Sequence, residues 1–347
     1  MKAIVYHRYG GPEVVEIAEV PKPVPNDNEV LIRIRATTVT TGDWRARSLT
    51  MPPGFGLVGR LVFGLFRPRQ PILGTELAGQ IEAIGNAVTR FRVGDPVFAF
   101  TGANYGCHAE YRAISDEGLI VLKPENLSFD EAAALSFGGT TALSLLRDKA
   151  GIKSGDRVLV VGASGGVGSA AVQIAKHFGA DVTGVCSTVN VDLVRSIGAD
   201  RVIDYTQEDF ALRGEKYDII LDTTGTVPFA RGDAVLKPGG RLVIVLGSLA
   251  TALGVRRPSK ASGKAVIASV AAVRIGDMKF LAKLAETGAY KPVIDRSYLL
   301  RDAAKAHAYV DTGRKRGSVI LTIEPACNAS HIDGSQPLLE QATLVLR

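Results

Sequence analysis

Residues 158–179 read VLVVGASGGVGSAAVQIAKHFG, and this stretch decides the fold. An apolar strand ends at Val161. Gly162, Gly165, Gly166 and Gly168 make the turn, and a helix rich in Ala, Val and Ile is expected from Ser169 to Phe178, stopped by Gly179. The spacing is G-x-x-G-x-x-G, a variant of the dinucleotide fingerprint. Glycines permit positive φ and remove the Cβ atoms that would block a pyrophosphate. The helix start then offers free N–H groups and the positive dipole end to that phosphate. A tight structural turn is the plainer alternative, but the placement between a strand and a helix favours nucleotide binding. No Walker lysine follows the glycines, so phosphoryl transfer is not expected.

Outward from this turn the chain alternates strand and helix. DVTGVC precedes a helix from Val191 to Ile197, stopped by Gly198; RVIDY, YDIILD, a helical PFARGDAVL, RLVIVL and AVIASVA follow. Nearly all-apolar strands alternating with helices predict a doubly wound parallel sheet, covered on both faces. Upstream, the pattern is β: AIVY, VVEIAEV, EVLIRIRA, LAGQIEAIG, DPVFAF, AEYRAI and LIVLK are short runs separated by turn signals. They predict a partly barrel-like β domain. SFDEAAALSF opens on a capping-box spacing, Ser128 with Glu131. After the alternating region come a helical DMKFLAKLAETG, VIDRSYLL, a helical RDAAKAHAYVDTG and a strand SVILTI. The expected division is 1–123, 124–276, 277–324 and an appended tail at 325–347.

The length, 347 residues, suits two domains. Hydrophobic residues at 46% against 22% charged leave ample apolar surface to bury, which excludes extended disorder. The charge, 41 − 35 = +6, fits an anionic ligand as easily as nucleic acid, but no dense basic run supports nucleic acid. Cys107, Cys186 and Cys327 are far apart with no CxxC pair, so a disulfide framework or a Cys-rich zinc lobe cannot be built, and a reducing cytoplasm is the expected setting. MKAIVYHRYGG lacks a signal-peptide core. Phe55–Phe66, the most apolar segment, is broken by Arg60 and is shorter than the roughly 20 residues that span a bilayer, so no stable membrane insertion is expected.

The end of the second strand of the nucleotide unit tells cofactors apart. NAD sites carry Asp or Glu there, on the ribose 2′-hydroxyl. Here the strand ends Gly184-Val185-Cys186-Ser187-Thr188, with no carboxylate. Ser187 and Thr188 accommodate a 2′-phosphate without repulsion, which favours NADPH; alternatively they cap the next helix.

With the β domain first, the nucleotide domain second and a return at the end, the chain resembles the medium-chain dehydrogenase/reductase superfamily. The resemblance runs from Met1 to about Glu324 and rests on KAIVYHRYGGPEVVEI, PILGTELAGQIEAIG, VGDPVFAF, the glycine turn, SIGADRVIDY, KPGGRLVIV and GRKRGSVIL. It implies an α/β fold: an N-terminal GroES-like, partly barrel β domain plus a doubly wound parallel Rossmann sheet. Within the superfamily the chain looks like the zinc-independent quinone oxidoreductases, which take NADPH. The zinc-dependent members need a Cys near 41 and a His before the Glu of GTELAG; Thr41 and Thr75 stand there. Cys107, His108 and Glu110 form a tempting cluster, but neighbours on a strand point to opposite faces. No metal is expected. Without a Lewis acid, alcohol oxidation is hard, whereas hydride donation to a conjugated carbonyl stays feasible.

The resemblance also implies site residues. The cofactor is expected on Thr141, with Thr140 beside it, Gly162, Ser164, Gly165, Gly166, Val167, Gly168, Ser187, Thr188, Tyr205, Thr224, Leu246 and Arg316. The Asp222–Gly225 and Leu246–Ser248 loops are expected to line the trough at the sheet's carboxyl edge. The family's lysine for the 2′-phosphate is absent; Val189 and Asn190 occupy its place. Thr40, Asp43 and Trp44 are the candidate catalytic residues: Thr40 hydrogen-bonds a substrate carbonyl or a ribose hydroxyl, or else Thr40 and Asp43 merely cap a helix, and Trp44 stacks on a flat substrate or is ordinary core. The implied reaction is NADPH-dependent hydride transfer to a small hydrophobic quinone or α,β-unsaturated carbonyl, with no nucleic-acid partner. The alternatives are an alcohol or carbonyl dehydrogenase and a non-catalytic NADPH sensor. The family commonly forms a homodimer through an edge strand, here AVIASVA. The segment from Pro52 to Pro71 reads as a lid, a membrane-surface dock or a packed helix, Leu57, Leu61 and Leu65 lying at helical spacing.

Overall fold

In the computed structural model, residues 1–245, 247, 263–269 and 272–323 are described. Leu246, Ser248 and the tail at 325–347, on which sequence expectations fall, lie outside them.

The N-terminal part is β. A ribbon of β1 (Lys2–Val5) and β2 (Glu16–Glu19) precedes β3 (Glu29–Val39), the longest strand. Next come α1 (Thr41–Ser48), α2 (Gly56–Phe63), β4 (Glu76–Ile84), β5 (Pro96–Phe100), β6 (Tyr111–Ser115) and β7 (Ile120–Leu122). One edge of β3 pairs antiparallel with β4. Its other edge is shared: β6 takes Glu29–Arg33, and a strand from the far end of the chain takes Ala36–Val39. Sharing one long strand in this way curls the sheet into a partly closed barrel.

The nucleotide part begins with α3 (Phe129–Ala133) and α4 (Ser136–Leu143). The sequence suggests one helix here; Ser128 and Glu131 do form the expected capping box, but the chain breaks before Ser136. Then follow β8 (Arg157–Val161), α5 (Gly166–His177), β9 (Asp181–Cys186), α6 (Val191–Ser196), β10 (Arg201–Asp204), β11 (Tyr217–Asp222), α7 (Phe229–Val235), β12 (Leu236–Val245) and β13 (Ala265–Ser269). They form a six-stranded parallel sheet in the order β10-β9-β8-β11-β12-β13, the doubly wound order with its switch point beside β8. Its apolar strands send alternate residues to opposite faces. Val158, Val160, Ile219 and Leu221 join one core, and Leu159, Val161 and Ile220 the other. Each such side chain contributes about 1.5–3 kcal/mol by burial.

α8 (Ile275–Glu286) packs with α4 and α5 in the first of these cores. The chain then re-enters the antiparallel sheet through β14 (Ile294–Leu299), α9 (Ala303–Asp311) and β15 (Ser318–Thr322). β15 is the strand that completes the edge of β3. Ala36, Ala78, Phe98 and Ile320 of this sheet share a core with the helices of the nucleotide part. α2 departs from the packing alternative: Leu57 (68% exposed), Leu61 (57%) and Leu65 (45%) face solvent.

Candidate cofactor and active site

β8 enters the turn through Gly162 at φ +79°. A Cβ there would lie 2.6 Å from Thr223 Oγ1 and from Thr224 Cγ2, and one on Gly168 would lie 2.0 Å from the Gly162 carbonyl oxygen. These two glycines are required by the protein's own packing. Gly165 differs. A Cβ on it would meet nothing closer than 3.5 Å, and its φ of −78° suits any residue. A Cβ on Gly165 would thus sit at ordinary contact distance, and Gly165, bridged in parallel to Gly317, stands at the N-cap of α5 with no side-chain hydrogen bond. A helix start with no side-chain cap suits a phosphate. α5 begins at Gly166, three residues before the expected Ser169, because the last glycines form its first turn. Asp222, fully buried, fixes the facing loop: it accepts from the N–H groups of Thr224, Gly225 and Val227 and from the Thr224 hydroxyl.

Two other segments wall the turn. Gly138 of α4 approaches so closely that a Cβ would lie 2.4 Å from the Gly166 carbonyl oxygen. Thr140 is buried with its hydroxyl donated to the Ser136 carbonyl, whereas Thr141 is partly exposed. From the returning chain, Gly317 donates its N–H to the Ser164 carbonyl at 2.8 Å. The cation brought to the turn is Lys315. Its Nζ lies 3.2 Å from the Cβ position of Gly166 and donates to the Gly317 carbonyl at 2.7 Å. Burial pulls its ammonium down to about 8, against the attraction of Glu76 and Asp295. Arg316 is exposed, with its backbone N–H on Asp295. In GRKRG three basic residues stand side by side, and their spacing gives no sign of which one turns to the glycine turn.

At the adenosine end, β9 runs out at Ser187 and Thr188. Ser187 sits in an N-cap position without capping a backbone N–H; its hydroxyl accepts from the Asn190 amide. The Thr188 hydroxyl meets that of Thr206 at 2.8 Å, and Tyr205 is exposed. A carboxylate does reach this corner, from the adjacent strand: Asp204 pairs with Cys186 in register. Hydrogen bonds, chiefly from the Thr188 side chain and then from Thr206, hold it below the usual carboxylate range.

On the substrate side, Thr40 caps α1 and Asp43 completes the box. Thr40 Oγ1 donates to Asp43 Oδ2 at 2.6 Å, and Asp43 Oδ1 accepts from the Gly74 N–H at 2.8 Å. The one proton of Thr40 is thus committed within the cap. Trp44 is partly buried against the barrel core, with the Arg45 guanidinium 5.3 Å from its ring. α1 still faces the nucleotide part, since Gly42 lies against the Phe137 ring. Phe137 donates its N–H to Glu76, a fully buried carboxyl also bonded by the Thr38 hydroxyl. Burial lifts Glu76 to about 7, Asp43 adding to the rise while the hydrogen bonds and Lys315 oppose it.

Neighbouring Thr75 is buried, and its hydroxyl has no partner among the described residues. Neither Glu76 nor Thr75 stood out in the sequence as a site residue in its own right. Cys107 is buried against the Thr101 hydroxyl, with its thiol pushed up to about 12 by burial, which leaves it no nucleophile. His108 Nε2–H donates to the Thr38 carbonyl. Among the described residues no three His, Cys, Asp or Glu side chains gather as metal ligands.

A doubly wound sheet whose glycine turn is closed by a barrel domain defines the class: a two-domain oxidoreductase of the dehydrogenase/reductase type. Models of the alcohol dehydrogenase GroES-like domain and of the zinc-binding dehydrogenases match residues 26–125 and 197–321. The chain is 33% identical to a chloroplast envelope quinone oxidoreductase homolog of Arabidopsis thaliana, over 92% of this chain and 98% of that one. It is 31% identical to an NADPH-dependent alkenal/one oxidoreductase of the same plant, over 92% and 79%. Among solved structures, the quinone oxidoreductase of Coxiella burnetii superposes with a TM-score of 0.82 at 30% identity, over 93% and 99%. That of Escherichia coli in complex with NADPH gives 0.78 at 26%, over 93% and 100%. The chain belongs to the quinone oxidoreductase-like branch of the medium-chain dehydrogenase/reductase superfamily.

Proposed function

We propose that the protein is an NADPH-dependent reductase of quinones or α,β-unsaturated carbonyls that works without a metal. The observation that carries this is the glycine turn at the start of α5, uncapped by any side chain and with the Lys315 ammonium beside Gly166. It fits a pyrophosphate in shape and charge. Gly165, Gly166 and Lys315 would hold the pyrophosphate, Ser187, Thr188 and Tyr205 the adenosine end, and Thr141 the nicotinamide end. When bound, the cofactor supplies a hydride. What the chain adds is alignment of the electrophilic carbon, a dry wall and a proton donor. Thr41 and Thr75 in place of metal ligands remove the Lewis acid that an alcohol would need.

Thr75, whose buried hydroxyl is unpartnered, is the donor for the developing oxyanion. It takes the role that the sequence suggested for Thr40, whose proton is spoken for. Glu76 behind it, near neutrality in pKa, is a positioning group that ties β4 to α4 through Phe137. In this reading residues 1–123 and 277–324 form the substrate-side domain, 124–276 the cofactor-side domain and 325–347 an appendage. A homodimer forms along β13, which ends the parallel sheet, and the setting is cytoplasmic.

The test is NADPH oxidation followed at 340 nm with 1,4-benzoquinone and with a conjugated enone, in chelator. Turnover is expected with both. Tight NADPH binding without turnover on any acceptor would make the protein a sensor, and activity that depends on one zinc per chain would overturn the metal-free reading. Thr75→Val is expected to lower kcat at least tenfold with little change in NADPH affinity.

A further inference from the structure

α2 and the loop after it carry the largest unexplained feature of the surface. The inner side is anchored. Gly59 packs on Met51, the Phe63 ring meets Tyr105 edge to face at 6.2 Å, and the Tyr9 hydroxyl donates to the Gly64 carbonyl. The outer side presents Leu57, Val58, Leu61, Val62, Leu65 and Phe66, from 42% to 87% exposed. Single exposed apolar residues are ordinary, whereas six on one short segment mark a docking face. Arg60, Arg67 and Arg69 are exposed within and beside it, and none pairs with a carboxylate among the described residues. From Trp44 to Thr75 the chain has five arginines and no Asp or Glu.

We propose that this face docks the protein on an anionic lipid bilayer, with the apolar side chains at the acyl boundary and Arg60, Arg67 and Arg69 on the lipid phosphates. Apolar residues flanked by arginine are the composition of an interfacial segment. A lid over the cleft would need the apolar face turned inward; it points out, and the inner contacts are already made. A second copy seated on the same face would set the arginines of each chain against those of the other, with no carboxylate in the segment to answer them. An anionic surface supplies the missing charge. Docking also brings α1, which packs against Phe137 of the nucleotide part, towards the phase in which lipophilic acceptors dissolve. The inference stands apart from the reaction proposed above. No helix among the described residues is long and apolar enough to cross a membrane, so the attachment is peripheral.

The experiment is co-sedimentation of the full chain with phosphatidylcholine vesicles and with vesicles in which part of that lipid is replaced by phosphatidylglycerol. Binding is expected on the anionic vesicles and to weaken with salt. Each arginine near such a surface strengthens attachment about fivefold, so Arg60→Gln/Arg67→Gln/Arg69→Gln should remove roughly a hundredfold of the anionic preference. Leu61→Glu/Phe66→Glu should lose at least tenfold on anionic vesicles. It should keep its melting temperature and its turnover of water-soluble 1,4-benzoquinone, which reports that the fold is intact. Failure of the wild type to sediment with anionic vesicles, or equal sedimentation of the Glu variant, would overturn the proposal. So would a wild-type oligomer that this variant dissociates, since a second copy would then cover the face.

Discussion

Lys315 places an ammonium beside the positive end of α5, an arrangement that costs free energy until an anion lies between them. Lys315→Gln is therefore expected to weaken NADPH and NADH by the same factor, about tenfold, the equivalent of one charge-assisted contact of about 1.4 kcal/mol. Fluorescence titration checks it; 2′-AMP, which lacks the pyrophosphate, should bind as before, and a loss for 2′-AMP as well would point to general damage. The adenosine corner calls for the opposite test. Asp204 sets a negative charge beside Thr188, where a 2′-phosphate would lie. Asp204→Asn should strengthen NADPH severalfold and leave NADH unchanged, and Ser187→Asp should weaken NADPH; equal shifts for both cofactors would refute the placement. Neither Lys315 nor Asp204 was singled out from sequence. Each becomes visible only when two strand ends are set side by side.

The elements were more legible than the contacts between them. Strand–glycine–helix order and nearly all-apolar strands alternating with helices led directly to the parallel sheet, and Ser128 with Glu131 led to a helix start. Thr40 and Asp43 stayed ambiguous, because the same T-x-x-D spacing serves a cap or a site; the hydrogen bonds now account for both as a cap. The four glycines looked alike in sequence, yet the fold divides them. Gly168→Ala drives a Cβ to 2.0 Å from a backbone oxygen, and a loss of about 3 kcal/mol, the upper end of the overpacking range, is expected. Gly165→Ala has room and an ordinary φ, so its melting temperature should hold while its dinucleotide affinity falls at least tenfold. Calorimetry and titration of the pair decide the matter. If Gly165→Ala binds NADPH normally, the phosphate does not lie over that residue.

At the scale of the molecule, two buried groups make stability depend on pH in opposite senses. Glu76, held between the two domains, has its folded pKa raised from 4.5 to about 7. The folded chain then holds the extra proton, so its contribution is intact below 4.5 and is lost as pH rises towards 7. His307 on α9 is buried against the His108 ring, centroids 5.6 Å apart, and near Arg47, whose guanidinium holds both oxygens of Asp311. Neither ring nitrogen of His307 has a partner among the described residues, and burial drops its pKa well below 6.5. The unfolded chain then holds the extra proton, so this contribution is intact above 6.5 and is lost as pH falls. Between 4.5 and 6.5 the slopes oppose, and the wild type alone shows a muted profile. Glu76→Gln removes one slope. Over a shift of 7 − 4.5 = 2.5 units, its stability relative to the wild type should rise by on the order of 3 kcal/mol from pH 4.5 to 7.5. His307→Asn should gain relative stability in the other direction, as pH falls below 6.5. Urea unfolding of the three proteins at several pH values separates the terms. Parallel curves for Glu76→Gln and the wild type would mean that the carboxyl between the domains is already ionised at acid pH, stabilised by Lys315 as an ion pair.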